Sequence, residues 1–121
     1  MTRLEQTIGA CFRNKSLLAA ALTHPSYQSQ GQSPGTALNF QRLEFFGDAV
    51  LNLFIGHKLY DLFPNANEGL LSRLRSILVS RKLLARIAHS IRLRTSLLLG
   101  ERERNQPDVI REKILADAVE A

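Results

Sequence analysis

Glu44 and Asp48 stand four residues apart in the stretch Arg42-Leu43-Glu44-Phe45-Phe46-Gly47-Asp48-Ala49-Val50-Leu51, and Gln41 lies three before Glu44. At 3.6 residues per turn all three project from one face of a helix. The residues from Phe45 to Ile55 are mostly apolar, and acids are rarely left in such surroundings unless they are paired, hydrogen-bonded or bound to a metal. Gly47 lies on the turn between them. It costs the helix about 1 kcal/mol relative to Ala and removes a side chain beside the acids, so that something can come close. A second pair, Asp117 and Glu120, closes the sequence in Leu115-Ala116-Asp117-Ala118-Val119-Glu120-Ala121 and again shares one helical face. Brought together, the pairs make a nest of four carboxylates with no built-in neutralising base. The natural occupant is a hard divalent cation, Mg²⁺ or Mn²⁺ in its place, which keeps waters and recruits phosphate oxygens. The chemistry that follows is phosphoryl transfer.

The stretch from Arg42 to Leu51 resembles the signature of the ribonuclease III family. Three further segments resemble that family in the same order: Ala21-Leu22-Thr23-His24-Pro25-Ser26-Tyr27, Asn67-Glu68-Gly69 with the basic helix after it, and Leu115 to Ala121. The resemblance implies an all-α endonuclease domain that dimerises through its signature helix, with Phe45 inserting into the partner subunit. It implies that Glu44, Asp48, Asp117 and Glu120 bind Mg²⁺, which activates a water for in-line attack on a phosphodiester of double-stranded RNA and neutralises the charge that builds there. The products would carry a 5′-phosphate and a 3′-hydroxyl, and Glu68 would assist hydrolysis from the edge of the centre. Gln41 departs from the pattern, which usually has glutamate there. An amide in the outer ring of the site can hydrogen-bond a water but adds no charge, so weaker metal affinity is expected. The sequence also stops just after Glu120, where the family's domain continues and a separate double-stranded RNA-binding domain follows. Either a fragment or a shortened homologue accounts for that, and RNA binding by the basic face alone would be weak and salt-sensitive.

The elements that must carry these residues read as helices, with no convincing alternating pattern, so the expectation is an all-α fold in one domain over residues 1–121. Residues 4–8 form a helical turn ended by Gly9, and Asn14 caps a helix over 15–22 whose Leu17, Leu18, Ala21 and Leu22 face the core. Pro25 closes that element. His24 reads as a partly buried histidine that fixes the turn with Ser26 and Tyr27, since imidazole suits an all-carboxylate Mg²⁺ site poorly. Residues 28–36 are a loop rich in Gln, Ser, Gly and Pro. Residues 38–63 make a long helix that is apolar on most sides, and such a helix must be covered by other helices or by a partner chain. Dimerisation through it is therefore a physical expectation as well. Phe63-Pro64-Asn65 ends the helix, Asn67 caps the next, and Glu68 sits near that helix's positive end. Leu70, Leu71, Leu74, Ile77, Leu78, Leu83, Leu84, Ile87 and Ile91 carry an apolar stripe, interrupted near Ser80. Residues 97–107 read as a loop. Asp108 begins the last helix, with Ile110, Ile114, Leu115 and Val119 facing inward. Asp117 and Glu120 then fall in a final turn, where helices fray.

With 45% hydrophobic and 22% charged residues among 121, the composition is that of an ordinary globular protein. No apolar run approaches the roughly 18 residues of a membrane span, and the start, Met1-Thr2-Arg3-Leu4-Glu5, lacks the core of a signal peptide. A cytoplasmic protein is expected. Cys11, the one cysteine, can form no internal disulfide, and its apolar neighbours favour a packed structural thiol. The net charge of +5 favours a polyanionic partner, and its distribution says more. Between Gly69 and Gly100 there is no acidic residue, while Arg73, Arg75, Arg81, Lys82, Arg86, Arg92 and Arg94 supply seven positive charges. Beside clustered carboxylates, that face is suited to phosphate, and Arg73, Arg75, Arg81, Lys82 and Arg94 are the candidates to bind duplex RNA, which is read by shape and phosphate contacts. Two other readings compete. A non-catalytic dimeric RNA-binding or ribosome-associated module would keep the fold but would be expected to lose the acids. A purely structural use would pair the acids with Arg42 and Arg111.

Overall fold

A computed structural model describes residues 1–27 and 36–121, the side chains of residues 36, 37 and 108–110 excepted. Seven α-helices follow one another among the described residues: α1 (Arg3–Ile8), α2 (Lys15–Ala21), α3 (Thr36–Leu62), α4 (Glu68–Leu78), α5 (Arg81–Ser90), α6 (Glu101–Arg104) and α7 (Asp108–Glu120), with a 3₁₀ turn at Leu93–Ser96. The fold is all-α as expected, and extended pairing among the described residues is limited to one isolated parallel bridge between Thr23 and Leu98. No helix among the described residues is long and apolar enough to cross a membrane. The loop expected at residues 28–36 lies outside the described residues up to residue 35.

Local chemistry sets most of the boundaries. Asn14 Oδ1 accepts from the backbone N–H groups of Ser16 and Leu17, Asn67 Oδ1 from Leu70, and Ser80 Oγ from Leu83, so α2, α4 and α5 each begin at a side-chain cap. At α1, Thr2 and Glu5 form a reciprocal capping box, and Gly9 ends the helix at φ 69°, a left-handed conformation that glycine adopts without strain. Glu5 does more than cap. Its side chain is fully buried and also accepts from the backbone of Phe12 and from Lys15 Nζ, which ties α1 to α2. The Lys15 ammonium first, then the amides of Thr2 and Phe12, hold this carboxyl far below its usual range.

The core gathers Leu4, Leu18, Phe40, Ala85, Ala88, Leu93, Leu97, Leu99, Ile114, Leu115 and Ala118. Alanines on α5 and α7 let these two helices pack closely at its centre. Segment 22–27 is pinned to 98–100. His24 N–H donates to Leu98 O, Leu98 N–H to Leu22 O, and Gly100 N–H to Ser26 Oγ. His24 is the turn-fixing residue expected: Nδ1 lies 2.7 Å from Ser26 Oγ, its carbonyl accepts from Tyr27, and its ring stands edge-on to the buried Phe40. Burial is the main influence pushing its pKa down.

Several expectations are corrected. Leu17 is 51% exposed, because α2 turns Leu18 inward and leaves Leu17 along an open groove beside α3. On the apolar stripe Leu84 is buried, but Leu70 and Ile77 on α4 and Ile87 on α5 are exposed, on sides of these helices turned away from α3 and α7 among the described residues. Residues 97–107 are not simply a loop. Leu97 and Leu99 are buried, Leu98 pairs with the 22–24 backbone, and α6 occupies part of the segment. Cys11 is exposed rather than packed, and its neighbour Phe12 is itself partly open. On α7, Ile114 and Leu115 are buried and Val119 packs on the core, while the Ile110 side chain lies outside the described residues.

Candidate functional site

Gly47 marks the place where α3 and α7 meet. A Cβ added there would overlap the backbone carbonyl oxygen of Glu120, so the helices approach backbone to backbone, which only glycine allows. What comes close to Gly47 is therefore α7 itself. Glu44 lies one turn before Gly47 and Asp48 directly after it, while Asp117 lies one turn before Glu120, so the crossing sets the two acid pairs against each other. One carboxylate oxygen from each of Glu44, Asp117 and Glu120 lies within 4.8 Å of the others, and all three residues are half-buried.

Asp48 stands beside this group without joining it. It is exposed, and its Oδ1 accepts from Asn52 Nδ2 at 3.1 Å, while its backbone carbonyl accepts from the same amide at 2.9 Å. Its charge still reaches the cluster. Glu120 is pushed up to about 7, first by burial and then by the carboxylates of Asp48, Asp117 and Glu44. Glu44 is raised too, mainly by burial and next by Asp117. Lys113 opposes both shifts, and its Nζ lies 2.8 Å from Asp117 Oδ2. The nest thus holds three acids together, not four, and it does have a neutralising base. That base is Lys113, where the sequence had offered Arg42 and Arg111 as structural partners.

The remaining expected residues are spread around this centre. Glu68 begins α4, is exposed, and accepts from Ser72 Oγ at 2.7 Å. With Asn52, His57 and Arg75 it lines a groove of about 690 Å³ between α3 and α4, and Asn52 belongs both to this groove and to Asp48. Gln41 is exposed and lines a different groove, between α2 and α3, with Leu17, Arg42 and Phe45. Phe45 is 82% exposed. Arg73, Arg75, Arg81, Lys82 and Arg94 are all exposed, and Arg75 lies over Gly56 of α3.

The donor set suits a hard divalent ion. It contains oxygen alone, and in a Mg²⁺ octahedron neighbouring oxygens stand about 3.0 Å apart and opposite ones about 4.2 Å, so three groups within 4.8 Å of one another must draw together to share one ion. Burial first, and the neighbouring carboxylates after it, raise the Glu44 and Glu120 carboxyls, and such an ion would offset the repulsion among them.

The Ribonuclease-III-like family matches residues 14–121. This chain belongs to that family. Ribonuclease 3 of Thiobacillus denitrificans is 49% identical to it over 119 residues, covering 98% of this chain and 49% of that protein. Ribonuclease 3 of Pseudomonas entomophila is 45% identical over 121 residues, covering 100% of this chain and 49% of that one. The chain spans about half the length of these curated relatives. Among solved structures, the nuclease domain of ribonuclease III from Campylobacter jejuni matches with a TM-score of 0.83 at 41% identity, over 98% of this chain and 78% of that one. That structure concerns flexibility in a region involved in dimer formation of the Campylobacter domain.

Within the ribonuclease III-like pattern, two polar residues at the site went unread in the sequence. Lys113 and Asn52 stand at i−4 and i+4 from Asp117 and Asp48, a spacing that places each beside its acid on one helix face. The signal was present in both cases.

Proposed function

We propose that this chain is the nuclease domain of a Mg²⁺-dependent endoribonuclease that hydrolyses double-stranded RNA to 5′-phosphate and 3′-hydroxyl products and works as a homodimer in the cytoplasm. The observation that carries this reading is the convergence of Glu44, Asp117 and Glu120 at the α3–α7 crossing of a ribonuclease III-like chain. These three residues would hold the ion, with Asp48 beside them. When bound, Mg²⁺ lowers the pKa of a water and offsets the charge building on the phosphate.

The chain's own groups divide the remaining work. Glu120, raised to about 7, can hold a proton near neutral pH until positive charge arrives. Asn52 donates to one oxygen of Asp48 and so orients its carboxylate. Arg73, Arg75, Arg81, Lys82 and Arg94 offer exposed charge to the phosphates of a duplex, and Glu68 sits with Arg75 in the adjoining groove. Dimerisation is supported by α3, which leaves Phe45, Phe46, Val50, Leu53 and Phe54 exposed along one helix. A free thiol at the surface, Cys11, fits a reducing compartment.

Long double-stranded RNA incubated with the protein, with Mg²⁺ or with EDTA, tests the reading when Asp48→Asn and Glu120→Gln are run in parallel. Metal-dependent cutting to short 5′-phosphorylated duplexes, lost in both variants, is the expected result. Intact RNA from a folded dimer would sink the enzyme reading and leave an RNA-binding module.

A further inference from the structure

Lys113 contributes to the acid cluster in a way that its helix does not require. It precedes Asp117 by one turn on α7, with Nζ 2.8 Å from Oδ2. Acid before base is the favourable order for such pairs on a helix, and here the base comes first, so helix stability gives little reason for this pairing. The two partners are also unequally held. The Asp117 side chain is only 16% exposed, while that of Lys113 is 55% exposed. One is seated in the cluster and the other borders solvent. The ammonium meets Asp117 directly and reaches Glu44, Glu120 and the His24 ring through its field.

We propose that Lys113 is an internal counter-cation that competes with the divalent ion for Asp117. In the metal-free protein its ammonium occupies Asp117 Oδ2 and offsets the mutual repulsion of Glu44, Asp117 and Glu120. An ion that uses Asp117 must either displace this ammonium or bind beside it against its charge. Lys113 therefore stabilises the empty site and raises the ion concentration needed to fill it. This rests on the reading of the three acids as a metal site, and it adds a regulator of that site.

Mn²⁺ is the probe, because its free form is counted directly by electron paramagnetic resonance without any RNA or cleavage. Binding is measured on the full chain for wild type, Lys113→Gln, Lys113→Met and Lys113→Arg, with Asp117→Asn reporting whether the bound ion is at this site. Removing a positive charge next to the ion, partly screened by solvent, is expected to tighten Mn²⁺ binding roughly three- to tenfold in Lys113→Gln and Lys113→Met. Lys113→Arg is expected to stay near wild type. The thermal midpoint in EDTA should fall in the two neutral variants, and the rise on adding Mn²⁺ should grow. Equal or weaker Mn²⁺ binding in both folded neutral variants, while Asp117→Asn still loses binding, overturns the competition and leaves the metal site standing. Absence of binding in wild type, or binding indifferent to Asp117→Asn, overturns the metal-site reading and the competition with it.

Discussion

α3 and α7 each carry one acid pair, and they are enclosed in opposite ways. On α7, Ile114, Leu115, Ala116 and Ala118 are buried, so the helix is held by the core and its acids emerge from a fixed seat. On α3, which runs for 27 residues, Phe40 and Leu59 are buried while Phe45, Phe46, Val50, Leu53, Phe54 and Tyr60 stand open. Neither helix shows a clean amphipathic pattern, for contrary reasons: this chain covers most of the described apolar side chains of α7 and leaves a long apolar flank of α3 bare. Burying each large apolar side chain is worth about 1.5–3 kcal/mol, so the bare flank holds ample driving force for a second copy. The site lies on the seam, where a helix fixed by its own chain meets one that the proposed dimer would fix from outside. Precision at the seam then depends on both.

The largest effect is expected where the two helices touch. At Gly47 any side chain must displace the Glu120 backbone, so Gly47→Val should cost about 3 kcal/mol or more and lower the thermal midpoint by roughly 10 °C. Gly56, on the same helix, meets only the flexible Arg75 side chain at 3.7 Å. Gly56→Ala should therefore be neutral or stabilise by up to about 1 kcal/mol, through helix propensity. Differential scanning calorimetry of the two variants separates close approach from mere glycine content. Equal losses in both would remove the backbone contact as the reason for Gly47.

Next comes the bare flank. Leu53 is 74% exposed, so Leu53→Glu should leave the helical circular dichroism of the chain unchanged while breaking the proposed dimer, raising its dissociation constant about 100-fold or more. Phe45→Ala should weaken it by about 2 kcal/mol. Sedimentation equilibrium measures both. A wild-type chain that is monomeric at high concentration, or a Leu53→Glu dimer of wild-type affinity, would show that some other surface explains the open apolar side chains.

The same contrast explains what the sequence could tell. Caps act over three residues, so Asn14, Asn67 and the break at Ser80 were legible, as was the length of α3. The acid spacing around Gly47 was legible too, because one helix turn decides it. Leu17, Leu70, Ile77 and Ile87 were not, since a stripe of apolar residues shows which face wants cover and not whether this chain provides it. The burial of Leu97 and Leu99 had no local signal, as it depends on pairing with segment 22–27 more than 70 residues earlier. Lys113 stands at i−4 from Asp117, a spacing the sequence displays, but the acids alone do not indicate that a base is seated among them. Whether Asp48 lies inside the group of three or beside it depends on the crossing of α3 and α7, which spacing along one helix cannot fix.

The enclosed side of the seam should also show itself in the pH dependence of stability in EDTA. Glu120 is raised from 4.5 to about 7, so between these values the folded chain binds more protons than the unfolded one. Its contribution is full below 4.5 and is lost as pH rises through about 7, and Glu44 acts in the same direction. His24, lowered from 6.5, works the other way, adding stability as pH rises toward that value. Glu5, also lowered, contributes above 4.5 and is lost only as pH falls below it. The comparison that isolates the cluster is wild type against Glu120→Gln in urea from about pH 5 to pH 7.5. Wild type should lose stability relative to the variant across that range. Parallel curves would mean that the carboxyl group of Glu120 titrates in the folded chain as it does in the unfolded one.

The smallest effect tests the contrast at one atom. Asp117 is half-buried on α7 and also held by Lys113, whereas Asp48, exposed on α3, depends on the Asn52 amide of its own helix, which donates to both its side chain and its carbonyl. A single hydrogen bond of this kind is worth about 0.5–1.5 kcal/mol, so Asn52→Ala should lower the proposed cleavage rate by roughly two- to tenfold. KM for duplex RNA should not change, because Asn52 orients an acid and holds no phosphate in this reading. The thermal midpoint should barely move, since the pair lies at the surface. Single-turnover kinetics at saturating Mg²⁺ measure the chemical step directly. A raised KM with an unchanged rate would instead place Asn52 in the RNA-binding groove that it shares with Glu68 and Arg75. An unchanged rate and KM would show that Asp48 is oriented by something other than its own helix, and the second subunit covering α3 is then the place to look.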